Sequence, residues 1–167
     1  MEDLIRKLVD EGIVKYGKVT LSSGEKSDIY YDIKKAYGNT EIRKELASRI
    51  YSLLDKKPNF IAACDIGGIP LATTISDIFD LNLTLIRTKQ KDHGTKNTIE
   101  CYIPNNFDEG IIVDDVFTTG SNLRYMIDII KSETNAKILV CYVVLKRTNN
   151  KFEYPLFNLF SDLDFRK

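Results

Sequence analysis

The chain has 167 residues, the length of a single domain. Its 24 Lys and Arg balance 24 Asp and Glu, so a main task of gripping nucleic-acid phosphates is disfavoured, and 43 % hydrophobic residues suffice for a core. The longest apolar run, Ile138 to Leu145, falls far short of the roughly 20 residues of a membrane span, and the acidic opening Met1-Glu2-Asp3 is unlike a signal peptide, so a soluble cytoplasmic protein is expected.

Residues 3–15 place Leu4, Ile5, Leu8 and Val9 at helical spacing, with a stop near Gly12 or Gly17. Residues 19–21, 22–27 and 28–33 read as strand, turn and strand. Asn39 and Thr40 can cap a helix carrying Ile42, Leu46, Ile50, Leu53 and Leu54 on one face. From Phe60 the pattern alternates. Residues 60–64 form a short apolar strand, Gly67-Gly68-Ile69-Pro70 a turn, and Pro70 opens a helix to about Phe79. Residues 83–86 form a strand, 87–98 are polar without periodicity, and 99–103 form another strand. Ile111-Ile112-Val113 is a buried strand ending in Asp114-Asp115. Residues 118–121 lead into a helix with Leu123, Met126, Ile127 and Ile130, and 137–145 form the clearest strand. Residues 150–167 read as a short terminal strand or tail. Strands alternating with helices predict an α/β fold, a central parallel sheet flanked by helices, with its crevice at the carboxyl ends of the strands.

Three widely spaced cysteines, Cys64, Cys101 and Cys141, form no CxxC pair, and His93 is the only histidine. A disulfide scaffold and a multi-histidine zinc site are therefore disfavoured. The chemistry concentrates in Val113-Asp114-Asp115-Val116-Phe117-Thr118-Thr119-Gly120-Ser121-Asn122, where a buried strand delivers two acids and small hydroxyl residues enter a helix. Backbone N–H groups, hydroxyls and the positive helix end make an anion site there. Carboxylates beside it suit sugar hydroxyls, or Mg²⁺ held through water. The ligand implied is both sugar and phosphate. Neither a P-loop nor a GxGxxG fingerprint occurs.

Residues 113–120 resemble the phosphoribosyl-pyrophosphate (PRPP) motif of type I phosphoribosyltransferases. Leu21 to Asp32, Gly67 to Thr73 and Arg87 to Gly94 with Ile99-Glu100 are similar, in order, to segments of orotate phosphoribosyltransferases. The resemblance implies one phosphoribosyltransferase domain over 1–167, with a small N-terminal hood mainly from 1–35. It implies ribose binding by Asp114 and Asp115, and 5-phosphate binding by the turn from Val116 through Phe117, Thr118, Thr119, Gly120, Ser121 and Asn122. It implies contacts to the pyrophosphate side from Arg87, Lys91 and His93, with Lys91 the main catalytic cation, and orotate contacts from Thr118 and Arg147. Mg²⁺ would be held mainly through PRPP, with no protein ligand assigned. The loop 87–98 would serve the neighbouring subunit of a homodimer. The sequence departs from the family pattern at Thr88, Cys101 and Lys146. Lys26 and Lys34 read as solvated. A transferase for another base would keep the phosphate motif without needing Arg147, and a PRPP-sensing regulator would bind without turnover.

Overall fold

The computed structural model describes residues 1–20, 24, 26–88 and 98–166. Helix α1 (Glu2–Asp10) buries Leu4 and Leu8, one turn apart, and ends before Gly12. Strands β1 (Val14–Thr20) and β2 (Lys26–Tyr31) form an antiparallel pair whose register breaks between Tyr16 and Val19. The first strand therefore begins earlier than residue 19. Ile33, expected at the end of the second strand, instead opens α2 (Ile33–Ala36), a single turn whose start is held by the Asp32 carboxylate accepting from Lys35 N–H. In α3 (Thr40–Ser52), Asn39 Oδ1 accepts from the N–H groups of Glu41 and Ile42 at 3.0 and 3.2 Å, the expected cap. Ile42, Leu46 and Ile50 are buried, but Leu53 lies past the helix end and is exposed.

The main sheet contains β3 (Phe60–Cys64), β4 (Asn82–Ile86), β5 (Ile99–Cys101), β6 (Glu109–Phe117), β7 (Lys137–Lys146) and β8 (Leu156–Ser161), in the spatial order β5-β4-β3-β6-β7-β8. Neighbouring strands run parallel except β5, which is antiparallel to β4. The central parallel sheet flanked by helices expected from the sequence is present, with β5 added as an antiparallel edge strand. A strand that returns beside its predecessor needs no crossover helix, and residues 87–98 supply none of the apolar periodicity such a helix would show. Helices α4 (Asp65–Phe79) and α5 (Ser121–Glu133) cover opposite faces. A 3₁₀ turn (Asp162–Phe165) follows β8.

The two faces are written into the strands with period two. Ile61, Ala63, Ile111, Val113, Tyr142 and Val144 face the larger core with Leu8, Ile42, Leu46, Leu71 and Ile75. Phe60, Ala62, Cys64, Ile112, Cys141 and Val143 face the smaller core with Leu123, Met126, Ile127 and Ile130. The larger core also takes in Leu4, Ile13, Val14 and Ile29, so α1 and the β1-β2 hairpin pack onto the same interior as the sheet. Cys64 and Cys141 are buried as expected, and burial pushes both thiols up to about 12; Cys101 is exposed.

Close packing is tightest where β3 pairs with β6. Phe60 lies opposite Gly110, and a Cβ at Gly110 would stand 2.2–2.4 Å from three atoms of the Phe60 ring. Gly110→Ala should therefore destabilise the protein by about 1–3 kcal/mol, with a fall in Tm of several degrees, and Phe60→Leu in the same chain should recover part of it. An unchanged Tm for Gly110→Ala would show that the ring has room to move.

Candidate active site

The chain leaves β3 through α4 to reach β4 on one side, and leaves β6 through α5 to reach β7 on the other. The carboxyl ends of β3 and β6 therefore form the crevice where the strand order reverses, the usual ligand position in such sheets.

Asp114 and Asp115 lie at this point. The strand expected to end in these acids runs on past them to Phe117, so they sit within β6. They are 2 % and 8 % exposed. Across from them is the first turn of α4, which begins at Asp65 (φ 55°) and not at Pro70, so Gly67 and Gly68 are helical and Pro70 falls inside the helix. A Cβ at Gly67 would meet the Oδ1 atoms of Asp115 and Asp114 at 2.8 and 2.9 Å, and one at Gly68 would stand 2.6 Å from the Val113 carbonyl. Only glycine allows the helix start this close to the acid-bearing strand. Tyr37 Oη donates to Gly67 O at 3.0 Å and fixes the approach.

Asp114 accepts from Asp115 N–H (2.9 Å) and from Asn122 Nδ2 (3.3 Å), while Asp115 accepts from Val116 N–H (2.8 Å). Burial, then the adjacent Asp115 charge, raises the Asp114 carboxyl far above its ordinary value. Lys34 Nζ lies 3.3 Å from Asp115 Oδ2, and that carboxylate raises the Lys34 ammonium in turn. Lys34 was read from the sequence as merely solvated; the turn of α2 swings it toward the acids, a change of direction hidden when residues 28–33 are taken as one strand.

Beyond the acids, a pocket of about 60 Å³ is lined by Asp114, Val116, Phe117, Thr118, Gly120, Ser121, Asn122 and Leu123. Phe117 is buried against Phe152, so its backbone alone is available to a ligand. The Thr118 carbonyl accepts from Thr148 Oγ1 (2.6 Å) and Asn150 Nδ2 (3.1 Å), and the Thr119 carbonyl accepts from Arg124 Nη1 (2.7 Å). In a trans peptide the N–H points opposite the C=O, so these ties turn the Thr119 N–H away from Thr148 and Asn150 and the Gly120 N–H away from Arg124. Thr119 Oγ1 donates to Ser121 Oγ at 3.3 Å, and Thr119 does not line the pocket.

Arg147 follows β7 directly, and its N–H donates to Phe117 O (3.0 Å), which sets it beside the pocket loop. Its Nε is buried without a hydrogen-bond partner among the described residues, and its guanidinium carbon lies 5.8 Å from the Tyr31 ring centre. A buried guanidinium nitrogen left unpaired is a donor waiting for an acceptor. On the far side, Arg87 pairs with Glu100 (Nε to Oε1, 2.8 Å) and lines a second pocket of about 380 Å³ with Asp65, Ile69, Leu85, Ile86, Thr88 and Glu100. The pairing of Arg87 with Glu100, 13 residues on, depends on the antiparallel return of β5 beside β4 and has no sequence motif. Lys91 and His93 lie outside the described residues.

The acid pair carries a stability consequence. Because the folded state raises the Asp114 carboxyl, it binds more protons than the unfolded chain above the ordinary carboxylate range, and stability falls as pH rises through that window. Asp114→Asn should melt higher than the parent protein at pH 8, with the difference closing toward pH 4. A difference independent of pH would refute this origin.

The phosphoribosyl transferase domain family matches residues 32–163 of the chain. Orotate phosphoribosyltransferase of Pyrococcus abyssi is 34 % identical, with the match covering 97 % of this chain and 94 % of that one. The enzyme of the same name from Methanococcus maripaludis is 36 % identical over 87 % of this chain and 79 % of its own. Among solved structures, orotate phosphoribosyltransferase from Aeropyrum pernix shares the fold with a TM-score of 0.84 at 22 % identity, covering 96 % and 94 % of the two chains. With residues 32–163 matched and relatives of this likeness aligned over most of their length, the chain belongs to the phosphoribosyltransferase family, among the orotate phosphoribosyltransferases.

Proposed function

We propose that the protein transfers the phosphoribosyl group of PRPP to orotate, giving orotidine 5-phosphate and pyrophosphate in pyrimidine biosynthesis. The observation that carries the choice of orotate is the buried, unpartnered Nε of Arg147 beside the loop 117–120. A planar fork of donors suits a planar carboxylate, which orotate has and the common purine and pyrimidine bases lack.

In this reading the loop around Thr118, Thr119, Gly120 and Ser121 takes the 5-phosphate, and the small pocket lined by Thr118, Gly120 and Ser121 at the start of α5 supports that role. Asp114 and Asp115 take the ribose hydroxyls. As the bond to pyrophosphate lengthens, positive charge grows on the ribose, and the same carboxylates stabilise it. Arg147 and Thr118 aim a ring nitrogen of orotate at the opened carbon. Lys34, paired with Asp115 in the free protein, supplies a counter-charge to the acids. Arg87, Lys91 and His93 would serve the pyrophosphate side, with loop 87–98 closing over it and excluding water. We further propose a homodimer in which that loop serves the neighbouring subunit. Three free thiols support a reducing, cytoplasmic setting. Among the described residues no helix is long and apolar enough to cross a membrane.

Mg²⁺ is the expected cofactor. Among the described residues no three His, Cys, Asp or Glu side chains gather as a metal site, whereas Asp114 and Asp115 stand together at the crevice. These residues fit an ion whose ligands are mainly substrate oxygens, with the acids reached through water. Bound there, Mg²⁺ supplies charge neutralisation to the departing pyrophosphate.

The test is pyrophosphate release from Mg²⁺-PRPP with orotate, uracil, adenine and hypoxanthine offered separately. Release with orotate alone is expected. Release with another base would overturn the role of Arg147, and PRPP binding without release would point to a sensor. Arg147→Ala should lower kcat/KM for orotate by roughly 10–150-fold, the range of a hydrogen bond to a charged group. Lys91→Ala should lower kcat far more than PRPP affinity; a loss confined to affinity would remove it from the chemistry.

A further inference from the structure

The last described residues reach back to the site. Tyr31, at the end of β2, carries the ring over which the Arg147 guanidinium sits. That ring is held at two points, both in the 3₁₀ turn. Its hydroxyl donates to Asp162 Oδ1 at 2.8 Å, and its edge meets Phe165 with ring centres 5.4 Å apart. Asp162 is held in turn by Arg166 Nε on its other oxygen. The turn itself is fixed by Asp164, which accepts from Ser161 N–H (2.6 Å) and Ser161 Oγ (2.8 Å). Tyr16 of β1 donates to Phe165 O at 3.0 Å, so both strands of the hairpin are tied to the same turn.

We propose that Asp162 is a positioning residue for base recognition, holding Tyr31 where its ring seats the Arg147 guanidinium for the substrate carboxylate. This rests on the reading of Arg147 given above. The argument is one of preorganisation. Among the described residues the Arg147 Nε has no hydrogen-bond partner, and the guanidinium lies over the Tyr31 ring, a contact that limits where it can lie. An arginine fixed before the ligand arrives loses less side-chain freedom on binding. A tyrosine ring on a two-stranded hairpin would be a loose support by itself. Its tie to Asp162 links it to a turn that continues β8 of the main sheet, and β7, which delivers Arg147, is the strand paired with β8. Arg147 and its support thus refer to one frame. Burial and Asp162 also push the Tyr31 phenol upward, which keeps its proton on and its role as donor intact.

The experiment is steady-state kinetics on the full chain with both substrates varied, together with Tm. Orotate-dependent turnover by the parent protein is the first requirement, and its absence would refute the functional reading rather than this one. Given that turnover, Asp162→Ala should raise KM for orotate about 5- to 20-fold, part of the range of a hydrogen bond to a charged group, and leave KM for PRPP within about twofold. Asp162→Asn retains an acceptor for the Tyr31 hydroxyl and should stay within about threefold of the parent. Tyr31→Phe removes one oxygen and should follow Asp162→Ala, and it carries the test should Asp162→Ala fail to fold. In an Arg147→Ala background, Asp162→Ala should add nothing further to the orotate defect. An unchanged KM for orotate with a lowered Tm would show a purely structural tie. Equal rises for orotate and PRPP, or an undiminished effect in the Arg147→Ala background, would equally overturn the proposal.

Discussion

The site depends on one close approach, the first turn of α4 laid against the end of β6 with no space for a side chain between them. Gly68 meets a backbone carbonyl and Gly67 meets two carboxylates, and Tyr37 locks the pair in place. The contact closes the crevice from the β3 side. It also deprives the acid pair of solvent. Widening it by one methyl group would move either the helix or the carboxylates, since a backbone carbonyl in mid-sheet cannot yield.

From that burial follows the electrostatic character of the site. Two adjacent carboxylates in a dry crevice repel each other, and the fold answers with local partners: Asn122, two backbone N–H groups and the Lys34 ammonium. None removes the strain on Asp114, which stays raised. The free protein therefore holds a buried acid pair at the crevice, one carboxyl of which has a raised proton affinity. Arg147 shows the opposite imbalance, a buried donor with no acceptor among the described residues. Both imbalances border the loop 117–120: the acids precede it in β6, and the Arg147 N–H donates to Phe117 O.

Much of this was legible in the sequence. The strands 60–64 and 137–146 and the α3 cap were read almost to the residue, because continuous apolar runs and an Asn-Thr start are strong local signals. The acids stand out in the sequence as a charged pair directly after an apolar run, and Thr118 and Arg147 each follow the last residue of a strand. What escaped was set by tertiary contact. Gly67-Gly68 looks like a turn until a strand is packed against it. Ile33 continues an apolar strand pattern but is turned into α2 by Asp32. Leu53 keeps helical spacing yet lies past the helix end. Asp162 bears no motif, since its partner Tyr31 lies 131 residues away.

The distribution of thiols has a practical consequence. Cys64 and Cys141 are both buried in the smaller core, and desolvation pushes their thiols up to about 12, which disfavours the thiolate that an electrophile needs. Cys101 is exposed at the end of β5, next to Glu100, the partner of Arg87. A maleimide fluorophore would therefore attach at one place on the unaltered chain. It would stand on β5 beside the Arg87–Glu100 pair, an optical reporter obtained without any engineered cysteine.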